Sequence, residues 1–141
     1  MDKFWEGNQI KADFVVYDYP LGAGRPAPDG ATPAMAEGWK YLNQLKADLV
    51  IFSGDTVWIA EIKPTMDAGA FGQVFVYSHL YRQEHGFDKL VIPLIICEIT
   101  HPDLMQVAKD FNMDVLQVSA SGVAYANRAN APSFYENLSN A

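Results

Sequence analysis

Cysteine is almost missing from this chain: Cys97 is the single one in 141 residues. That excludes an internal disulfide, and its place inside the apolar run Val91–Ile99 reads as a small core residue rather than a nucleophile. Long hydrophobic runs are missing as well. No stretch approaches the roughly 18 apolar residues of a membrane span, and the opening Met1-Asp2-Lys3-Phe4-Trp5-Glu6 lacks the apolar segment of a signal peptide. The expectation is an intracellular, cytoplasmic protein with no membrane contact. Basic charge is scarce: 10 Lys and Arg face 17 Asp and Glu, a formal net charge of −7, with no basic run. Proteins that hold duplex DNA unaided usually carry a surplus of Lys and Arg to replace phosphate counterions. If nucleic acid is a ligand here, a local patch, a divalent metal or a partner must compensate. The three histidines, His79, His85 and His101, are too scattered to form an evident zinc site. No internal repeat is visible.

The hydrophobic pattern is that of a single α/β domain. Gln9–Tyr19 alternates as a strand, with Ala12, Phe14 and Val16 on one face and Val15, Tyr17 and Tyr19 on the other. Four prolines (20, 26, 28, 33) and three glycines (22, 24, 30) make Pro20–Pro33 a loop or arm. Its Gly22-Ala23-Gly24-Arg25 is no phosphate cradle, since no strand leads straight into a helix there. Ala34–Leu45 is predicted helical, with Met35, Trp39 and Leu42 on one stripe. Strands follow at Ala47–Phe52 and Thr56–Ile62, then a long helix Asp67–His85 stopped by Gly86. Leu90–Ile99 is apolar nearly throughout, as for a strand buried on both faces. A helix to about Phe111 follows, with Thr100 as a plausible cap and Pro102 in its first turn, and Asp114–Val118 is the last strand. From Ser119 the chain turns rich in Ala, Asn and Ser, with Phe134, Tyr135 and Leu138 as candidate anchors. This order implies an α/β sandwich with a mixed sheet flanked by helices. Residues 1–33 read as an N-terminal strand and arm, 34–118 as the core, and 119–141 as a tail.

The most informative feature is the hairpin between the second and third strands. A two-residue turn often carries Gly at its first central position, which Gly54-Asp55 supplies. Ser53 then pairs with Thr56, and the ladder runs outward through Phe52–Val57, Ile51–Trp58, Val50–Ile59 and Leu49–Ala60 to Asp48–Glu61. Directly opposed Cβ atoms lie roughly 4.5–5.5 Å apart, and like charges there destabilise the pair. Two carboxylates opposed in an apolar hairpin call for a compensating cation, and a divalent ion with oxygen ligands suits them. Alternation puts Lys63 on the face of Glu61, with Ile62 pointing the other way. Phosphodiester hydrolysis needs a metal to activate water and a cationic group to steady the phosphate. Solvated strand ends are the plain alternative for the same residues.

Ala47-Asp48-Leu49-Val50-Ile51 followed by Trp58-Ile59-Ala60-Glu61-Ile62-Lys63-Pro64 resembles the PD-(D/E)XK nuclease superfamily, in which an Asp begins one strand and E-x-K ends the next. Ala47 stands where the pattern has proline. Gln73-Val74-Phe75-Val76-Tyr77 on the following helix resembles the Gln-x-x-x-Tyr signature of the RecB-like branch, its two polar residues one turn apart on one face. The resemblance spans roughly 34–118. It implies a restriction-endonuclease-like core in which Asp48, Glu61 and the Ile62 carbonyl hold Mg²⁺ or Mn²⁺. Lys63 would meet the attacking water or the scissile phosphate, and Gln73 and Tyr77 would position the substrate. The family core also commonly has an acidic residue on the preceding helix, for which Glu37 is the candidate.

Two functions follow from these residues. One is a metal-dependent deoxyribonuclease acting in recombination, repair or phage DNA processing, in the host cytoplasm or the virion if the chain is viral. The other is a nuclease-fold subunit without catalysis, structural or DNA-binding, in a larger assembly, which the acidic balance and the Pro/Gly arm favour. Under either, DNA and a homo-oligomer or larger protein assembly are the expected partners.

Overall fold

Segments rich in Val, Ile and Leu become the strands, and Thr, Asp and His at three boundaries start the helices. The computed structural model describes residues 12–128. In chain order they form β1 (Phe14–Leu21), α1 (Pro33–Asn43), β2 (Leu45–Ser53), β3 (Thr56–Thr65) and α2 (Ala68–His85). Then come β4 (Leu90–Ile99), α3 (Pro102–Asp110), β5 (Asp114–Ser119) and β6 (Gly122–Asn127). The six strands make one mixed sheet in chain order. The β1–β2, β2–β3 and β5–β6 pairs are antiparallel, and β3–β4 and β4–β5 are parallel. Parallel neighbours need a crossover connection, and α2 and α3 supply the two here. The architecture is therefore α/β, a six-stranded mixed sheet flanked by helices. Among the described residues no helix is long and apolar enough to cross a membrane.

Several boundaries differ from the sequence expectation, each for a local reason. The start of the expected Gln9–Tyr19 strand lies outside the described residues, while its end runs on through Pro20 to Leu21. Pro20 is tolerated because β1 is an edge strand, where a missing N–H breaks no second ladder. Leu45 belongs to β2 rather than to α1, and β3 continues past Ile62 to Thr65. The cap of α3 is His101, whose Nδ1 accepts the Asp103 N–H at 3.1 Å, rather than Thr100. Phe134, Tyr135 and Leu138 lie outside the described residues. The sheet also extends past 34–118 on both sides, through β1 at one edge and β6 at the other. Pro93 is accommodated in an inner strand because the β4–β5 register begins only at Leu94↔Asp114.

Alternation along β3 sorts its side chains. Val57 and Ile59 join Val50, Phe52, Tyr77 and Tyr81 on the face covered by α2. Trp58 and Ala60 join Leu49, Ile51, Leu94, Ile96 and Leu116 on the other face, with Ile62 packed against them. Toward the far ends of β4 and β5, α2 and α3 close a third cluster of Met66, Ala70, Phe71, Val74, Ile95, Cys97, Met113 and Val115. Cys97 is core, as expected, and burial pushes its thiol pKa up, away from thiolate chemistry. Trp58 is fully buried, and its indole N–H donates to the buried Asp114 carboxylate at 3.1 Å. Trp58→Phe keeps most of the apolar volume but takes a donor from that carboxylate. It is expected to cost about 2 kcal/mol, read as a lower urea midpoint at unchanged m-value.

Candidate functional site

The β2–β3 hairpin has the register that its turn residues imply. Ser53 pairs with Thr56, and the ladder continues through Phe52↔Val57, Ile51↔Trp58 and Val50↔Ile59 to Leu49↔Ala60. Gly54 has φ 55°, while Asp55 has no positive φ, the pattern of a turn that needs a left-handed residue only at its first central position. An alanine there would be strained, so Gly54→Ala is expected to destabilise the protein by about 1 kcal/mol, measurable as a lowered melting temperature.

One step beyond Leu49↔Ala60 the backbone ladder gives way to side chains. The Asp48 N–H donates to Glu61 Oε1 at 3.3 Å, and the Ile62 N–H donates to Asp48 Oδ2 at 2.9 Å. The two carboxyl groups are also hydrogen-bonded to each other. Each carboxylate thus takes one backbone N–H of the opposite strand and lies against its neighbour. The break coincides with an irregularity in β1. Asp18 stands between the Tyr17↔Leu49 and Tyr19↔Ala47 pairs, and so alongside Asp48, with φ 49°. Val16 and Tyr19 pack on the same cluster although three residues apart, as do Val50 and Ala47 on β2. Strict alternation cannot do that, so both strands reset their facing at Asp18 and Asp48.

Glu61 is 3% exposed, whereas Asp48 and Lys63 are half-buried. Burial, reinforced by the Asp48 charge and the hydrogen bond that the protonated Glu61 carboxyl donates to the Asp48 carboxylate, pushes the Glu61 pKa from 4.5 up to about 7. The Asp48 N–H and the Lys63 ammonium pull the other way and are outweighed. Without a cation, a proton on Glu61 below about pH 7 therefore removes one of the two negative charges of the pair. Lys63 shares the Glu61 face by alternation along β3, since Ile62 packs on the opposite cluster.

The following helix brings Gln73 to the same region. Ala70 and Val74 pack with Ile95 and Cys97, which are the β4 partners of Glu61 and Lys63. The turn of α2 that carries Gln73 therefore lies at the level of the acidic pair, and Gln73 is half-buried. Tyr77, one turn on, is 8% exposed and packed with Val50 and Ile59, so its ring is part of the core. Glu37 is exposed on α1, a helix with no buried residue. Among the described residues no group of three or more His, Cys, Asp and Glu side chains is placed to hold an ion. Asp18 is the residue that sequence reasoning overlooked near the pair. Its signal was an acidic residue between two tyrosines of a strand, where Asp is disfavoured.

The donors suit a hard divalent cation. Mg²⁺ is commonly bound by one or two carboxylates, with water and substrate phosphate completing the shell. Two carboxylates that must otherwise share a proton offer that arrangement, with the Ile62 carbonyl between Glu61 and Lys63 in sequence. Comparison with known protein families, with curated proteins and with solved structures gives no match to this chain.

Proposed function

We propose that the chain is a metal-dependent deoxyribonuclease whose sheet and helices form a restriction-endonuclease-like core, with Asp48, Glu61 and Lys63 as its catalytic residues. The observation that carries this reading is the reciprocal Asp48/Glu61 contact at the break in the hairpin ladder, with Lys63 two residues on along β3. Asp48, Glu61 and the Ile62 carbonyl would hold Mg²⁺ or Mn²⁺, which supplies an activated water and offsets phosphate charge. Glu61 must give up its proton to serve as a ligand, so metal binding and deprotonation are linked. Lys63 makes no ion pair among the described residues. Its ammonium is free to steady the phosphate or orient the attacking water. Gln73 can donate through its amide to a phosphate oxygen of the bound strand. Because Tyr77 is packed in the core, its share in substrate positioning is to hold the Gln73 turn against the sheet.

The net charge of −7 favours a second reading, a non-catalytic subunit of a larger assembly that retains the fold. One experiment separates the two: incubation of the protein with linear, circular and branched DNA in Mg²⁺ or Mn²⁺, beside Glu61→Ala and Lys63→Ala. The nuclease reading expects metal-dependent cleavage that Glu61→Ala abolishes and Lys63→Ala strongly lowers. No cleavage of any substrate would assign the subunit role. Cleavage indifferent to both substitutions would remove this site from consideration.

A further inference from the structure

Helix α1 has 11 residues, none of them buried. A helix this short is marginal by itself in water and depends on packing for its stability. Yet Met35, Trp39 and Leu42, at helical spacing on one side, are 63%, 37% and 77% exposed, and Leu45 just beyond is 48% exposed. Gly38 lies in the same stripe, three residues after Met35 and four before Leu42. A Cβ at Gly38 would meet nothing within 4 Å, and its φ is not positive. The subunit fold therefore gives no reason for glycine, and alanine would favour the helix more. A glycine beside a tryptophan in an apolar stripe is explained when another backbone or ring comes close to it.

We propose that this stripe pairs with the same stripe on a second copy of the chain, the two α1 helices running antiparallel across a two-fold axis. The stripe is self-complementary in that arrangement. Met35 faces the partner's Leu42, and Trp39 lies over the partner's Gly38, with the reverse contacts following from symmetry. Glu37 and Lys40 fall on the other side of the helix, so no charge is buried. Side chains of these sizes at these exposures present on the order of 500 Å² per subunit and roughly 1,000 Å² for the pair, at the lower limit of a specific interface. Association is accordingly weak, with Kd on the order of tens of micromolar. Because each copy carries a net charge of −7, added salt screens the repulsion between copies and tightens the pair, opposite to an interface built on ion pairs. The inference stands apart from the nuclease reading, since it uses none of Asp48, Glu61 and Lys63.

Sedimentation of the full chain from about 5 to about 200 µM tests the proposal, with circular dichroism as the fold control. The expected result is a concentration-dependent shift from 15.7 kDa to twice that mass, stronger at higher salt. Met35→Lys alone and Leu42→Glu alone should each weaken association at least about tenfold. Because the two positions face each other only across the two-fold axis, the double variant Met35→Lys/Leu42→Glu should recover association to within about threefold of the parent. Gly38→Ala should raise the melting temperature of the monomer while weakening the pair. A mass that stays at 15.7 kDa throughout overturns the proposal and leaves the stripe to the chain's own remaining segments or to a different protein. Dimerisation indifferent to the single variants, or not recovered in the double one, equally overturns it.

Discussion

The metal-free protein is expected to lose about 3 kcal/mol of stability, through Glu61 alone, as pH rises from about 4 to about 8. The sign follows from the direction of the shift. The folded pKa of about 7 lies above the ordinary 4.5, so the folded state holds this proton more tightly than the unfolded chain. The associated stability is complete below pH 4.5 and is lost progressively as pH climbs through 7. Glutamine at this position resembles the protonated acid: Oε1 can still accept the Asp48 N–H, and the amide can donate to the Asp48 carboxylate. Glu61→Gln should therefore match the parent near pH 4.5 and exceed it by about 3 kcal/mol near pH 8. Urea unfolding of both proteins across this range in EDTA is the measurement. Mn²⁺ at pH 8 should restore the parent's lost stability and leave the variant unchanged. Parallel pH profiles for the two proteins would show that the pair does not strain the fold.

The second large effect concerns catalysis. Under the proposed nuclease function, Lys63→Ala is expected to lower the metal-dependent cleavage rate by about 10³-fold, the size expected when a charge aimed at the transition state is removed. Lys63→Arg keeps the positive charge but changes its shape and reach, and should recover only part of the loss. Because Lys63 stabilises the Glu61 carboxylate, its removal should also push the Glu61 pKa further up. The acid limb of the pH–rate profile in Lys63→Ala should thus move to higher pH, a change that lost phosphate contact alone would not produce. A rate loss with an unmoved limb would confine Lys63 to the substrate. No rate loss at all would remove it from the site.

The hairpin was legible in the sequence because its causes are local. Gly54 sets the turn, and the turn fixes the pairing of Ser53 with Thr56 and every step outward to Leu49 and Ala60. From there the opposition of Asp48 and Glu61 followed by counting. What counting could not reach is the reciprocal backbone bonding of the two carboxylates. That bonding sits where the facing of β1 and β2 is reset, beside Asp18, which lies 30 residues earlier in sequence than Asp48. β6 was hidden for a different reason, although it is joined to β5 by only two residues. Its Gly-Val-Ala-Tyr-Ala-Asn has little intrinsic strand preference and is held by pairing with β5. Tyr77 was ambiguous for a further reason: helical spacing puts it on the Gln73 face without saying how deeply that face sits in the core. Glu37 rested on its position along the chain alone, and it is exposed on α1.

All of this rests on Asp48 and Glu61 acting as one divalent-ion site, and calorimetric titration of the metal-free chain with Mn²⁺ near pH 7 tests that most directly. Run in buffers of different ionisation enthalpy, the titration should give one ion per chain and release of about half a proton, the fraction Glu61 retains at its pKa. Asp48→Asn and Glu61→Gln should each abolish the binding. No binding to the parent protein, or binding that survives both substitutions, would contradict the account.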